Sequence, residues 1–189
     1  MRIILASESP RRRDILKRLG LDFEVIPSGA DEDSVKEKDP AKLVQKIAEL
    51  KAKTIAAKSE DDSIIIAADS MVFFDGKAFG KPTDKDDARR MLRMLSGSEH
   101  TVYTGLCIIN KKAKSISRDF QSTKVRFRKL TESEIEWCVS FKETLGGAGA
   151  YVPQTQPMLF EGITGSYDNV NGLPVEKLIP LLRENGVNI

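Results

Sequence analysis

Several residues that mark particular protein classes are scarce in this sequence. Its 189 residues include two cysteines, one histidine and one tryptophan. Cys107 and Cys138 form no CxxC pair, so we expect two reduced, partly buried thiols rather than a disulfide or a metal site. His100 is the only histidine, which excludes a histidine-rich metal centre, and we expect it to be structural.

The sequence also lacks a dominant charge and a long apolar run. Its 30 basic and 28 acidic residues leave a net charge of +2, which gives no global basic field for bulk nucleic-acid binding. No apolar run approaches the length of a membrane span. The first apolar run is short and is followed by arginines, which does not fit a signal peptide. We therefore expect a cytoplasmic protein with no nucleic-acid or membrane partner.

The order of apolar patterns predicts an α/β fold. Short apolar runs at 3–6, 23–26 and 63–68 are typical of strands, and residues 39–58 have the spacing of a long amphipathic helix. Asp75-Gly76 is a strong hairpin signal. Both crossover and hairpin connections are therefore expected, in one domain spanning residues 1–189. We predict a mixed, twisted sheet with flanking helices.

Other local signals predict where the remaining elements begin and end. Ser9-Pro10 is typical of a helix N-cap followed by the first helical residue. Thr131 and Glu134 have the spacing of a capping box. A strand pair is expected on either side of Lys111-Lys112. Pro174 is expected to open the last helix, which Pro180 would kink or split.

Three consecutive arginines follow a predicted strand, at the start of the first helix. A helix N-terminus has unpaired N–H groups and partial positive charge, so exposed arginines there are unfavourable by roughly 0.3–1 kcal/mol each. A bound anion would reverse that sign. Because helical residues step by about 100°, at most two of Arg11, Arg12 and Arg13 can face one ligand. A solvated basic turn is the alternative interpretation.

Asp69, followed by Ser70, comes where the apolar strand pattern 63–68 ends. Ligands of open α/β sheets collect at the carboxyl ends of strands. A carboxylate there can hold a divalent metal or orient a water. A capping or turn aspartate would give the same sequence pattern.

Lys51 falls within the apolar arc of the predicted helix 39–58. It either extends its ammonium outward to solvent or points across the core side toward a cleft. Glu32 lies in an acidic loop and is either a ligand for a hard cation or a solvated carboxylate. Lys81, held by Pro82, is either a phosphate contact or an ordinary loop lysine.

Two common phosphate-binding motifs are missing. The glycines at 146, 147 and 149 do not form GxGxxG, and the sequence has no GxxxxGK[ST]. A Rossmann dinucleotide site is therefore not supported, and any phosphate binding is not of the P-loop kind.

Taken in order, these segments resemble the Maf family over nearly the whole chain. Each motif is modest alone, but the ordered set is highly specific. The matching segments are Leu5-Ala6-Ser7-Glu8-Ser9-Pro10-Arg11-Arg12-Arg13, Asp31-Glu32, Lys51-Ala52, Ala68-Asp69-Ser70, Gly80-Lys81-Pro82, Leu95-Ser96-Gly97, Thr104-Gly105, Gly165-Ser166-Tyr167-Asp168-Asn169-Val170 and Gly172-Leu173-Pro174.

The resemblance implies a fold akin to inosine triphosphate pyrophosphatases, with a cleft between two lobes. It implies hydrolysis of a nucleoside triphosphate to monophosphate and pyrophosphate, a divalent metal (Mg or Mn), and a homodimer. Glu32 and Asp69 would hold the metal. The catalytic set implied by the resemblance is Ser7, Arg12, Glu32, Lys51, Asp69 and Lys81.

Substrate choice is associated in the family with positions matching Arg11, Ser70 and Gln154. Arginine and glutamine there resemble the branch acting on dTTP, UTP and modified pyrimidine triphosphates, and we add Arg13 to the expected substrate-binding residues. The chain departs from the family pattern at Gly147, where lysine is usual, and at Thr155, where glycine is usual. A 7-methyl-GTP pyrophosphatase and a non-catalytic nucleotide-binding regulator of cell division are the alternatives.

Overall fold

The computed structural model describes residues 2–189, so Met1, the first residue of the expected 1–189 domain, lies outside the described residues. Its strands are β1 (Arg2–Leu5), β2 (Glu24–Val25), β3 (Ser63–Phe74), β4 (Lys77–Phe79), β5 (Glu99–Asn110), β6 (Ser115–Phe127) and β7 (Phe160–Thr164). They form a seven-stranded sheet in the order β2-β1-β3-β5-β6-β7, with β4 also paired to β3. β1 is parallel to β2 and β3, and the other pairs are antiparallel. The prediction of a mixed sheet is confirmed.

The helices are α1 (Pro10–Arg18), α2 (Pro40–Ala56), α3 (Lys85–Leu95), α4 (Glu132–Ser140), α5 (Tyr167–Val170) and α6 (Val175–Glu184). Ser9 caps α1, and Thr131 with Glu134 forms the expected capping box at α4. The last helix runs through Pro180 without a break. No helix among residues 2–189 is long and apolar enough to cross a membrane.

The core divides into two packed regions along the sheet. Near β1, helices α1 and α6 cover one face and α2 covers the other. Toward the far end of β3, helices α3 and α4 pack against the sheet. Ile64, Ile65 and Ile66 are almost completely buried, and each contributes roughly 1.5–3 kcal/mol of hydrophobic stabilisation.

One edge of β3 is only partly paired. β1 pairs along it as far as Leu5 opposite Ile66, and β4 pairs with it from Val72, opposite Phe79, onward. At this edge, residues 67–71 of β3 therefore border a space between β1 and β4, where neither strand pairs with them. The backbone N–H of Ala6 still bonds to the carbonyl of Ile66 at 2.8 Å, and the chain then turns into α1. The cleft described below opens in this space.

The expectation that a strand ends at Asp69 is wrong. Asp69 lies within the 12-residue strand β3, because antiparallel β5 pairs with β3 from Ile64 to Phe73 and holds it extended beyond the apolar run. The strand that does end here is the parallel neighbour β1. The apolar pattern stops at Asp69 because the strand there begins to line a cleft rather than a core.

Candidate active site

The alternation of side chains along β3 sends neighbouring residues to opposite faces of the sheet. Ile65 and Ala67 pack against α2, so Asp69 shares the α2 face. Ile66 and Ala68 pack on the α1 and α6 side, so Ser70 shares that face. Two consecutive polar residues thus meet side chains from two different helices.

On the α2 face, the ammonium of Lys51 lies between two carboxylates. Its Nζ is 2.6 Å from Oδ1 of Asp69 and 2.9 Å from Oε1 of Glu32. The side chains of Lys51 and Asp69 are 9% and 8% exposed, whereas that of Glu32 is 44% exposed. Of the two orientations open to Lys51 in the sequence, the structure has the one that points into the cleft.

On the opposite face, the guanidinium of Arg12 is buried and bonds to neutral acceptors. It donates from Nε to the carbonyl of Gly172 at 2.8 Å, from Nη1 to Oγ of Ser7 at 3.2 Å and from Nη2 to Oγ of Ser70 at 3.0 Å. Burial lowers the pKa of Arg12 from its ordinary value, and the nearby charge of Asp69 partly opposes this. Arg12 is therefore a fixed, desolvated cation with no carboxylate bound to it directly among the described residues.

The N-terminus of α1 brings two more groups to the cleft. Oγ of Ser7 also accepts the backbone N–H of Ser9 at 3.2 Å. Arg11 reaches across to the carbonyl of Gly146 at 3.2 Å, and burial lowers its pKa. Cationic side chains that bond only to neutral acceptors, beside a helix N-terminus, form a favourable environment for an anion.

These groups line a cleft of about 660 Å³, a volume within the range of pockets for small ligands. Lys81, just after β4, is an exposed part of its lining and has no ion-pair partner among residues 2–189. The cleft brings together eight of the expected site residues, which are Ser7, Arg11, Arg12, Glu32, Lys51, Asp69, Ser70 and Lys81.

Two expected substrate-binding residues, Arg13 and Gln154, are not among the described residues that line this cleft. Arg13 follows two arginines that do line it, and the helical step of about 100° turns it away. Gln154 is exposed in the turn that follows Tyr151. This geometry gives no support to substrate binding by either residue.

The carboxylates fit a divalent cation of the Mg²⁺ type. Oδ2 of Asp69 is buried and has no hydrogen-bond partner within residues 2–189, so one oxygen of this carboxylate remains available as a ligand. No group of three or more His, Cys, Asp or Glu suited to a metal occurs within residues 2–189. Glu32 and Asp69 nevertheless meet the usual requirement of Mg²⁺, which takes one or two carboxylates and completes its shell with water and substrate phosphates.

Sequence reasoning missed the backbone acceptors and the apolar end of the cleft. The carbonyls of Gly172 and Gly146 fix Arg12 and Arg11, and a carbonyl leaves no signal in a sequence. Tyr151 is buried at the cleft, and its hydroxyl is 3.0 Å from Nε2 of His100. The expectation that His100 is structural agrees with this contact. Four further apolar residues of the lining belong to the same packed cluster as Tyr151, namely Val72, Val102, Ala148 and Val170.

Gly147, where the Maf pattern has lysine, lies in a tightly packed backbone segment. A Cβ built there would be 2.1 Å from the carbonyl oxygen of Tyr151. No side chain fits that position without a backbone shift, so the segment next to the apolar end of the cleft has a conformation adapted to glycine.

The family model described as Maf-like protein matches residues 2–185. The chain belongs to the Maf family. Its match includes each of the eight expected residues that line the cleft.

Curated relatives are similar over their full length. A protein of Pelotomaculum thermopropionicum is 42% identical, with 99% of this chain and 98% of that protein covered. One from Clostridium botulinum strain Okra is 46% identical with the same coverage. Both are named dTTP/UTP pyrophosphatase. Among solved structures, a nucleoside-triphosphatase (dITP/XTP pyrophosphatase) from Mycobacterium abscessus is 15% identical, with 98% of this chain and 96% of that chain covered and a TM-score of 0.47.

Proposed function

We propose that this Maf protein is a nucleoside triphosphate pyrophosphatase that cleaves the α–β phosphoanhydride of dTTP, UTP and modified pyrimidine triphosphates. The observation that carries the proposal is that one cleft holds both the acidic pair Glu32 and Asp69 and three cations, Arg11, Arg12 and Lys81, that have no carboxylate partner among residues 2–189. The cations suit a polyphosphate, and the acidic pair suits hydrolysis. The pyrimidine preference is supported by the names of the curated relatives.

The reaction follows from these positions. A water oxygen attacks the α-phosphorus in line, the bond from that phosphorus to the bridging oxygen breaks, and pyrophosphate leaves with the electron pair. Asp69 is the candidate to accept the water proton, because its Oδ2 has no hydrogen-bond partner in the described part of the chain. Arg12, Lys81 and Ser7 bind the phosphates and offset the charge that moves to the leaving group.

A divalent cation, Mg²⁺ or Mn²⁺, is part of this proposal. Glu32 and Asp69 would hold it, and when bound it would neutralise phosphate charge and lower the pKa of a coordinated water. The donor set fits this cation better than zinc, which favours histidine and cysteine. The negative charge of Asp69 is required whether it acts as base or as ligand.

A homodimer in the cytoplasm completes the proposal. The dimer rests on the resemblance to Maf proteins and the location on the absence of long apolar runs, together with Cys107 and Cys138, both buried and free. Size-exclusion chromatography with multi-angle light scattering measures the mass in solution and so tests the dimer. A mass of one chain, 21.0 kDa, would contradict it.

The test is a panel of triphosphates with Mg²⁺, in which released pyrophosphate and released phosphate are measured separately. We expect pyrophosphate from dTTP, UTP and 5-methyl-UTP, and much less from ATP and 7-methyl-GTP. Preference for 7-methyl-GTP would contradict the pyrimidine assignment. Tight binding of UTP without any product would contradict enzymatic activity and favour a nucleotide-binding regulator.

A further inference from the structure

The ammonium of Lys51 lies between the two carboxylates that would hold a metal ion, Glu32 and Asp69. Its Nζ contacts Asp69 at 2.6 Å and Glu32 at 2.9 Å. In the protein alone, the acidic pair is therefore already bridged by a cation that belongs to the chain. A metal ion bound to the remaining oxygens of these carboxylates, such as Oδ2 of Asp69, would lie beside this ammonium and be repelled by its charge.

The charges around this bridge show what such a change involves. Glu32 and Asp69 contribute −2 and Lys51 contributes +1, so a divalent ion would raise the local sum from −1 to +1. The buried guanidinium of Arg12 is also close enough for Asp69 and Glu32 to raise its pKa. Like charges repel strongly where little water screens them. A triphosphate supplies the negative charge that removes this repulsion.

From this geometry we propose that Lys51 is an internal counter-cation that excludes the metal until a triphosphate binds. Its ammonium then moves from the carboxylates toward the phosphates, which removes its repulsion of a metal ion that Glu32 and Asp69 would hold. Metal and nucleotide consequently bind with positive coupling, and the free protein has only a weak metal site. This inference rests on the proposed function, because it takes a triphosphate as the ligand.

The local structure suits such an exchange of partners. Lysine carries a compact charge on a flexible four-carbon stem, so its ammonium can move while its backbone stays in place. The backbone of Lys51 is fixed within α2. Glu32 lies on a single 3-10 turn, Glu32–Ser34, outside the core, and is half exposed. Only side chains need to move.

Titration with Mn²⁺ in the absence of nucleotide, followed by electron paramagnetic resonance of free Mn²⁺, tests the inference. We expect Lys51→Met to bind Mn²⁺ at least tenfold more tightly than the wild type, a difference of about 1.4 kcal/mol. Lys51→Arg keeps the positive charge and should stay weak. Lys53→Met removes a charge from the same helix at an exposed side chain and should match the wild type.

Equal Mn²⁺ affinity in the wild type and Lys51→Met would overturn the inference. If Lys51→Met does not fold, the wild type decides alone. Its affinity for the nonhydrolysable analogue α,β-methylene-UTP should be at least tenfold higher with Mn²⁺ than with EDTA, by linkage, and equal affinities would overturn it. Failure of the proposed function is a separate result, namely no pyrophosphate from any triphosphate.

Discussion

Replacing Asp69 by asparagine separates the chemical role of this carboxylate from its structural role. The side chain keeps its size and one carbonyl oxygen, and it loses its negative charge. Lys51 can still donate to the remaining oxygen and to Glu32. We expect a folded protein that binds nucleotide through Arg12 and Lys81 but hydrolyses it at least a thousandfold more slowly.

The expected loss of stability follows from the burial of Asp69 and its contact with Lys51, and the expected loss of kcat follows from its role as a base. At 2.6 Å, its attraction to Lys51 is about 6 kcal/mol for an effective dielectric constant near 20. Burying a carboxylate costs several kcal/mol and offsets much of this gain, so we expect a loss of stability of only about 1–2 kcal/mol. A thousandfold lower kcat corresponds to about 4 kcal/mol of activation free energy, a typical contribution for a general base.

Pyrophosphate release from UTP gives kcat, calorimetry with α,β-methylene-UTP gives Kd, and thermal unfolding gives stability. Asp75→Asn is the matched control, because Asp75 is exposed in the turn after the same strand, at φ 49°, which asparagine adopts readily. The control should behave as the wild type. Wild-type turnover in Asp69→Asn would refute the assignment, and a Kd raised by a hundredfold would show that Asp69 acts mainly in binding.

Three further perturbations test other parts of the site and the fold. Arg12→Lys cannot reproduce the three hydrogen bonds of the guanidinium, so kcat/KM should fall about 10²-fold to 10³-fold, whereas Arg13→Lys should leave it unchanged. Equal losses of kcat/KM in the two variants would contradict a cleft that Arg12 lines and Arg13 does not. Gly105→Ala puts a Cβ 2.4 Å from the carbonyl of Val44 on α2. It should lower stability by about 1–3 kcal/mol, or about 2–12 °C in Tm, while Gly162→Ala, with open space around it, should change little. Burial lowers the pKa of His100 to about 4, below its ordinary 6.5, so the unfolded chain binds the extra proton. The contribution of neutral His100 to the free energy of unfolding is fully present above pH 6.5. It is lost as the pH falls toward 4, which lowers that free energy by up to about 3 kcal/mol. Denaturant titrations at pH 7 and 4.5 give the change in the free energy of unfolding between these pH values. This change should be smaller for His100→Phe than for the wild type, and an equal change would refute the role of His100.

Local signals in the sequence predicted local structure well. Ser9-Pro10, Asp75-Gly76 and the Thr131 capping box act within a few residues, and their chemistry is complete without distant partners. The apolar spacing of α2 likewise placed Lys51 on the buried face. Its choice between solvent and cleft depended on Asp69, a tertiary contact that periodicity does not encode.

Long-range features account for what the sequence did not predict. The continuation of β3 through Asp69 depends on pairing with β5, in which the partner of Asp69 is the distant Gly105. Arg12 and Arg11 each donate to a backbone carbonyl of a distant segment. Gln154 was assigned from the resemblance alone, and only the path of the chain after Tyr151 shows that it lies outside the cleft lining.

The site of water attack tests the central claim most directly. Hydrolysis of UTP with Mg²⁺ in ¹⁸O-water, followed by mass spectrometry of both products, identifies the phosphorus that reacts. We predict one ¹⁸O in UMP and unlabelled pyrophosphate, because water attacks the α-phosphorus in the proposed reaction. Formation of UDP with labelled phosphate would contradict the account.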